Sequence, residues 1–234
     1  MADLRYGTEW FAKAIKNHEG VTRASALPNG YVRLERKDFA DKDLEPITVA
    51  PLLADRVDAT VVEALLDNAT PTVILLIPKA SHYDWSAREL AEEHGSTIHT
   101  VKELYTFVQD ADPRPLVDKN VNYMRDLIDQ HTSVALVEMI CEASMLITRR
   151  GDLSDVIAAI EYEYEFSEEA FVRALKHHPD AEVVINTNSN GGPTDAALTH
   201  AESAEVPIYG IADVMRALNF DGAEFRRCVP RERP

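Results

Sequence analysis

Val61-Val62-Glu63-Ala64-Leu65-Leu66 is answered 110 residues later by Phe171-Val172-Arg173-Ala174-Leu175-Lys176. The same offset carries Val73 onto Val183, Ala87 onto Ala197, Ala91 onto Ala201, Glu92 onto Glu202, Ile98 onto Ile208 and Leu104 onto Val214. A constant offset over such a length is the mark of an internal repeat. The chain therefore reads as one unit written twice. Upstream, Arg36-Lys37-Asp38-Phe39-Ala40-Asp41 resembles Arg150-Gly151-Asp152-Leu153-Ser154-Asp155 at an offset of 114, and Ile15 and His18 fall on Ile128 and His131 at 113. The change from 114 to 110 puts four extra residues in Lys42-Asp43-Leu44-Glu45-Pro46, turn-like sequence where insertion costs little.

The pattern within one copy is α/β. An amphipathic helix opens each copy, with Trp10, Phe11, Ala14 and Ile15 sharing a face in the first and Tyr123, Met124, Leu127 and Ile128 in the second. Residues 20–26 and 31–37 flank the hairpin turn Leu27-Pro28-Asn29-Gly30, and Ile47–Ala50 is a third short strand. The second copy offers strands at 134–140, 144–149 and 156–166, although Val134–Ile147 has few breakers and also fits a helix. Helices at about 58–67 and 167–177 precede the most apolar runs, Val73-Ile74-Leu75-Leu76-Ile77 and Val183-Val184-Ile185, which suit central strands. Asp84 and Thr194 are matched N-caps for the next helices. Short strands (97–99, 207–209) and last helices (101–108, 211–219) close the copies. Strand-helix-strand spacing of this kind implies parallel pairing with right-handed crossovers. The expected domains are 1–111 and 116–222, followed by a basic tail at 223–234. Asp110-Ala111-Asp112-Pro113-Arg114-Pro115 is the linker, and the two copies are expected to pack as a pseudo-dimer.

Composition narrows the classes of function. Of 234 residues, 45% are hydrophobic and 27% charged, with no apolar run near the roughly 20 residues of a membrane helix. Met1–Arg5 lacks a signal-peptide layout, and two cysteines, Cys141 and Cys228, make neither a disulfide framework nor a four-ligand zinc site. The expectation is a cytoplasmic protein with no membrane partner. The formal charge of −16 divides into −7 for residues 1–113 and −9 for residues 114–234. Such a surface repels phosphate backbones at long range, though a local basic groove would still admit nucleic acid.

The order of elements, together with Val183-Val184-Ile185-Asn186-Thr187-Asn188-Ser189-Asn190-Gly191-Gly192-Pro193-Thr194 and the segments after it, resembles the restriction-endonuclease-like fold. That resemblance implies a leading acid, then an acid-x-Lys pair on an adjacent strand, holding a divalent ion that activates water. Glu35-Arg36-Lys37 matches the pair formally, with no acid in the preceding hairpin arm after Glu19. Asp152 and Asp155 precede Glu161-Tyr162-Glu163, with Asp155, Glu161 and Glu163 the candidate metal ligands, but Glu163 stands where the lysine belongs. Neither copy carries the whole set. The resemblance thus implies two degenerate nuclease-like domains acting as a non-catalytic interaction or scaffold protein, beside nucleic-acid-processing or defence machinery. No cofactor is expected. A protein partner is, with self-association left open.

Two rival readings rest on particular residues. A divergent Mg²⁺-dependent nuclease would use Glu35 and Lys37, or Asp152, Asp155, Glu161 and Glu163. An anion or nucleotide binder would use the loop holding Asn188, Asn190, Gly191, Gly192 and Thr194, where backbone N–H groups and a helix start face outward. Glu161-Tyr162-Glu163-Tyr164-Glu165 alternates, which on a strand would put three carboxylates on one face and both tyrosines on the core face. The paired His18 and His131 are read as structural.

Overall fold

The computed structural model describes residues 7–67, 69–78 and 81–227. The chain divides into two compact units, Met1–Val117 and Asp118–Pro234.

In the first unit, helix α1 (Thr8–Ile15) leads into strands β1 (Val21–Ala26), β2 (Val32–Lys37) and β3 (Asp43–Leu52). Strand β4 (Arg56–Val57), helix α2 (Ala59–Leu66), strand β5 (Val73–Leu76), strand β6 (His82–Tyr83), helix α3 (Trp85–Glu93), strand β7 (Ile98–Thr100) and helix α4 (Val101–Phe107) follow. The sheet order is β1-β2-β3-β5-β7, antiparallel through β3 and parallel from there on. In the second unit the series is α5 (Lys119–Asp129), β8 (Val134–Cys141), β9 (Ser144–Arg149), β10 (Val156–Glu161), β11 (Glu165–Phe166), α6 (Glu168–His177), β12 (Val183–Asn186), β13 (Gly192–Pro193), α7 (Asp195–Ala204), β14 (Ile208–Gly210), α8 (Ile211–Ala217) and α9 (Gly222–Arg226). Its sheet runs β8-β9-β10-β12-β14 with the same directions. Two mixed five-stranded sheets of one topology make this an α/β protein of two similar units.

Strand pairing sets the repeat register. Val32 lies opposite Val49 and Val49 beside Val73; Met145 lies opposite Ala158 and Ala158 beside Val183. The offset is therefore 113 through β2, 109 at β3 and 110 from β5 onward. Arg36 answers to Arg149 rather than Arg150, and buried Val62 and Leu65 answer to buried Phe171 and Ala174. The expected offsets of 114 and 110 were each one residue too large at these segments. The extra residue of the second unit falls after the α2-equivalent, because α6 has ten residues to the eight of α2.

A helical layer covers each face of each sheet. In the first unit Phe11, Ile15, Leu104 and Val108 cover one face, and Val62, Leu65, Ala87 and Ala91 the other. In the second, Met124, Ile128, Val214 and Ala217 cover one face, and Phe171, Ala174, Ala197 and Ala201 the other. Helix α7 is capped at Thr194 as the sequence suggests, and Asp58 and Ser167 cap α2 and α6 in the same way, each side chain accepting from a backbone N–H of the first turn. Asp84 differs. Its carboxylate makes no cap bond and instead takes both ends of the Arg56 guanidinium, at 2.9 Å each.

The two paired histidines close identical turns. His18 Nδ1 accepts from Gly20 N–H and His131 Nδ1 from Ser133 N–H, both at 3.2 Å. Val134–Cys141 is a strand, so the helical alternative for that stretch is excluded. The expected tail at 223–234 begins within α9, with Phe225 buried; residues 228–234, Cys228 among them, lie outside the described residues. Among the described residues no helix is long and apolar enough to cross a membrane.

The stretch expected to be a linker is bound to the first unit. Buried Arg36 donates to the carbonyls of Asp110 and Ala111, His99 Nε2 to that of Pro113 at 2.8 Å, and buried Arg88 to those of Arg114 and Leu116. Tyr209, the counterpart of His99, likewise donates from its hydroxyl to the Phe225 carbonyl. Asp110–Leu116 thus serves the first unit as α9 serves the second.

Candidate functional site

The carboxyl ends of parallel strands are where α/β sheets usually present ligand-binding groups. In the second unit that edge carries Glu161, Glu163, Asn186, Asn188 and the turn to β13. Strand β10 ends at Glu161, whose carbonyl accepts from both the Thr187 backbone N–H and hydroxyl, at 2.8 and 2.9 Å. The chain then crosses above β12. Asn186 pins the crossing, its amide donating to the Glu163 carbonyl at 2.9 Å and accepting from the Glu163 N–H at 3.1 Å.

The expected single strand 156–166 is therefore two short strands with an irregular crossing between them. The alternation of Glu161–Glu165 does not lie on one pleat, and Tyr162 and Tyr164 are 54% and 74% exposed rather than in the core. Gly191 sits beneath the crossing. A Cβ there would lie 2.2 Å from the Glu163 carbonyl oxygen and 2.8 Å from that of Tyr164. Gly191→Ala is expected to push the crossing away and lower the stability of the second unit by about 1–3 kcal/mol. Urea unfolding followed by circular dichroism checks this.

In the loop read as an anion cradle, five backbone N–H groups donate within the chain. The N–H of Asn188 goes to Asn186 Oδ1, that of Asn190 to Asn188 Oδ1, that of Gly191 to the Asn188 carbonyl, that of Gly192 to Tyr164 and that of Thr194 to Phe166. The Thr194 hydroxyl caps α7, and Asp195 adds a negative charge to its first turn. These hydrogen bonds shape a turn. The matching loop of the first unit begins at Pro78, and its Lys79 and Ala80 lie outside the described residues.

The expected metal ligands are not brought together. Asp155 precedes the first residue of β10 and Glu161 is its last, so about 20 Å of strand separates them. Asp155 accepts from the Arg149 N–H at 3.3 Å, and Glu163 pairs with Arg173. Asp152 lies in the exposed turn before Asp155. In the first unit Glu35 is half-exposed and 4.0 Å from Arg23, while Lys37 pairs with Asp41, whose hydrogen bond holds the Lys37 ammonium above its usual range. Among the described residues no group of three His, Cys, Asp or Glu side chains is placed to hold a metal ion.

Two further places stand out. A cavity of about 260 Å³ opens at the opposite, amino ends of β10, β12 and β14. Its charged lining is internally paired: Asp221 with Arg149 at 2.9 Å, Glu205 with Arg226 at 2.6 Å, and Glu182 with the Ile157 N–H at 3.1 Å. At the β8–β9 turn, Cys141 Sγ lies 3.0 Å from Ser144 Oγ and 3.5 Å from His178 Nδ1. Burial, aided by the charge of Glu142, pushes the thiol up to about 12, so it stays protonated and is a poor nucleophile. Sequence spacing gives no sign of this cluster, because 37 residues separate Cys141 from His178.

No family model, no curated protein and no solved structure matches the chain.

Proposed function

We propose that the chain is a non-catalytic interaction protein built from two degenerate restriction-endonuclease-like units. The observation that carries this reading is the dispersal of the carboxylates: Asp155 and Glu161 cap opposite ends of one strand, and Glu35, Lys37 and Glu163 are each engaged by a neighbour of opposite charge. The order of helix, three antiparallel strands, and alternating helix and parallel strand agrees with the fold the resemblance implies. The core-facing positions of the hairpins are Val32, Leu34, Ile47 and Val49 in one unit and Met145, Ile147, Val156 and Ala158 in the other, all buried and apolar. These core side chains offer no ligand to a divalent ion. The acidic surface, −16 in all, favours protein partners over nucleic acid.

The test is a cleavage assay with Mg²⁺ or Mn²⁺ on single- and double-stranded DNA and RNA. The expected result is no cleavage above a metal-free control. Cleavage that disappears in Glu161→Ala or Glu35→Ala would establish the nuclease instead.

A further inference from the structure

The two units cover their last strand in different ways. Sheet order ends at β7 in the first unit and at β14 in the second. Asp110 follows α4 on one face of the first sheet, Pro113 lies on His99 of β7, and the Leu116 carbonyl reaches Arg88 of α3 on the other face. Residues 110–116 therefore pass around the edge strand. Among the described residues, every hydrogen bond from 111–116 to the rest of the unit involves a side chain. Arg36 donates to Ala111, His99 to Pro113, Arg88 to Arg114 and Leu116, and the Arg114 guanidinium to the Gly95 carbonyl at 3.3 Å. No backbone bond joins 111–116 to β7.

The ground beneath is unsatisfied. Ser96 Oγ, Thr97 Oγ1 and His99 Nδ1 are buried without a hydrogen-bond partner, along the stretch where Arg114 and Pro113 lie. At the offset of 110 the second unit carries Val206, Pro207 and Tyr209 there, and its described residues hold no such atom. Its cover, α9, turns Phe225 into the core and takes the Tyr209 hydroxyl on the Phe225 carbonyl. One fold thus has an apolar cover in one copy and a polar cover in the other. A buried polar group without a partner has lost its water and regains it only when uncovered. That cost falls on the seated segment of the first unit and has no counterpart in the second.

We propose that residues 110–116 are a strap that lifts off β7 as a body while the sheet beneath stays folded. The inference goes beyond the reading above and does not depend on it. The segment carries its own shape. Asp112 holds the Arg114 guanidinium with two bonds of 2.8 Å, the Leu116 N–H donates to the Pro113 carbonyl at 3.4 Å, and Pro113 and Pro115 fix their own φ angles. Seated, the strap ties down the chain between α4 and α5. Lifted, residues 109–117 become free chain with a reach of roughly 30 Å. The strap sets how much free linker joins the two units.

The test is hydrogen exchange of the intact chain at pH 7, followed by NMR. The His99 Nε2–H reports the strap. The Ile74 N–H, which donates to the Thr97 carbonyl at 2.7 Å, reports the sheet beneath it. After correction for intrinsic rates, His99 is expected to exchange at least about a hundredfold faster than Ile74. Adding about 1 M urea is expected to leave the His99 rate unchanged, because lifting a strap exposes little surface, and to speed Ile74. Thr97→Val, which makes the ground apolar as in the second unit, is expected to slow His99 exchange about tenfold. Ser96→Ala makes the same test from the neighbouring hydroxyl if Thr97→Val disturbs the sheet. A His99 proton that exchanges in step with Ile74 across the urea series, or a rate indifferent to both substitutions, would overturn the proposal.

Discussion

Arg36→Met is expected to destabilise the first unit by about 3–5 kcal/mol and to leave the second unit folded. The guanidinium is 2% exposed and donates to the carbonyls of Glu45, Val108, Asp110 and Ala111. Val108 follows the last turn of α4, where helix carbonyls have no partners within the helix and the dipole favours a cation. Removing the arginine strands four backbone acceptors at once, the Val108 carbonyl among them fully buried. Burial holds its pKa below the usual arginine value. Arg36→Lys is expected to restore little, because a point charge with three donors cannot reach acceptors on two sides of a planar fork.

Arg149 does the same work in the second unit. It donates to the carbonyls of Ser154, Leu218 and Phe220 and pairs with Asp221. Arg149→Met is therefore expected to unfold the second unit first. Both tryptophans of the chain, Trp10 and Trp85, belong to the first unit. Tryptophan fluorescence then follows the first unit alone, and circular dichroism follows both. The two variants should separate these signals in opposite orders on urea unfolding.

Acidification is expected to weaken the first unit by about 3 kcal/mol between pH 6.5 and pH 4, through His99. The ring is fully buried. Its Nε2–H donates to the Pro113 carbonyl, which leaves Nδ1 unprotonated and without a partner in the surrounding structure. Burial, with a smaller part from the nearby charge of Arg88 and against the Pro113 bond, lowers the pKa to about 4. The sign follows from the direction of the shift. In the unfolded chain His99 takes up its proton near pH 6.5; in the folded unit it resists until pH 4. The stabilisation is fully present above pH 6.5 and is lost as the pH falls through the folded value. His99→Phe keeps the ring volume and removes the titration. Fluorescence-detected urea unfolding at pH 7 and pH 4.5 should show a steeper loss in the wild type than in this variant.

Much of the fold was legible because periodicity and burial are local. The apolar runs Val73–Ile77 and Val183–Ile185 became central strands, and Ala87, Ala91, Ala197 and Ala201 became the buried face of matched helices. The register was less legible. Arg36 was matched to Arg150, since the Arg-x-Asp pattern outweighed a single-residue shift that only strand pairing reveals. The run Glu161–Glu165 alternates as a strand does, yet Asn186, 23 residues from Glu163, holds an irregular crossing there.

The site was legible least of all. Whether Asp155 and Glu161 converge depends on where a strand starts and stops, and residue types do not state that. The contrast of Ser96, Thr97 and His99 with Val206, Pro207 and Tyr209 was present in the sequence throughout. It became readable only once the strap was seen over one set and α9 over the other.

Everything rests on two copies of one module with the same strand pairing. Proton NOEs in solution on the intact chain test this most directly. Cross-strand contacts are predicted between Leu34 and Ile47 and between Val49 and Val73, and equally between Ile147 and Val156 and between Ala158 and Val183. A full set in one unit with a different pairing in the other would contradict the account.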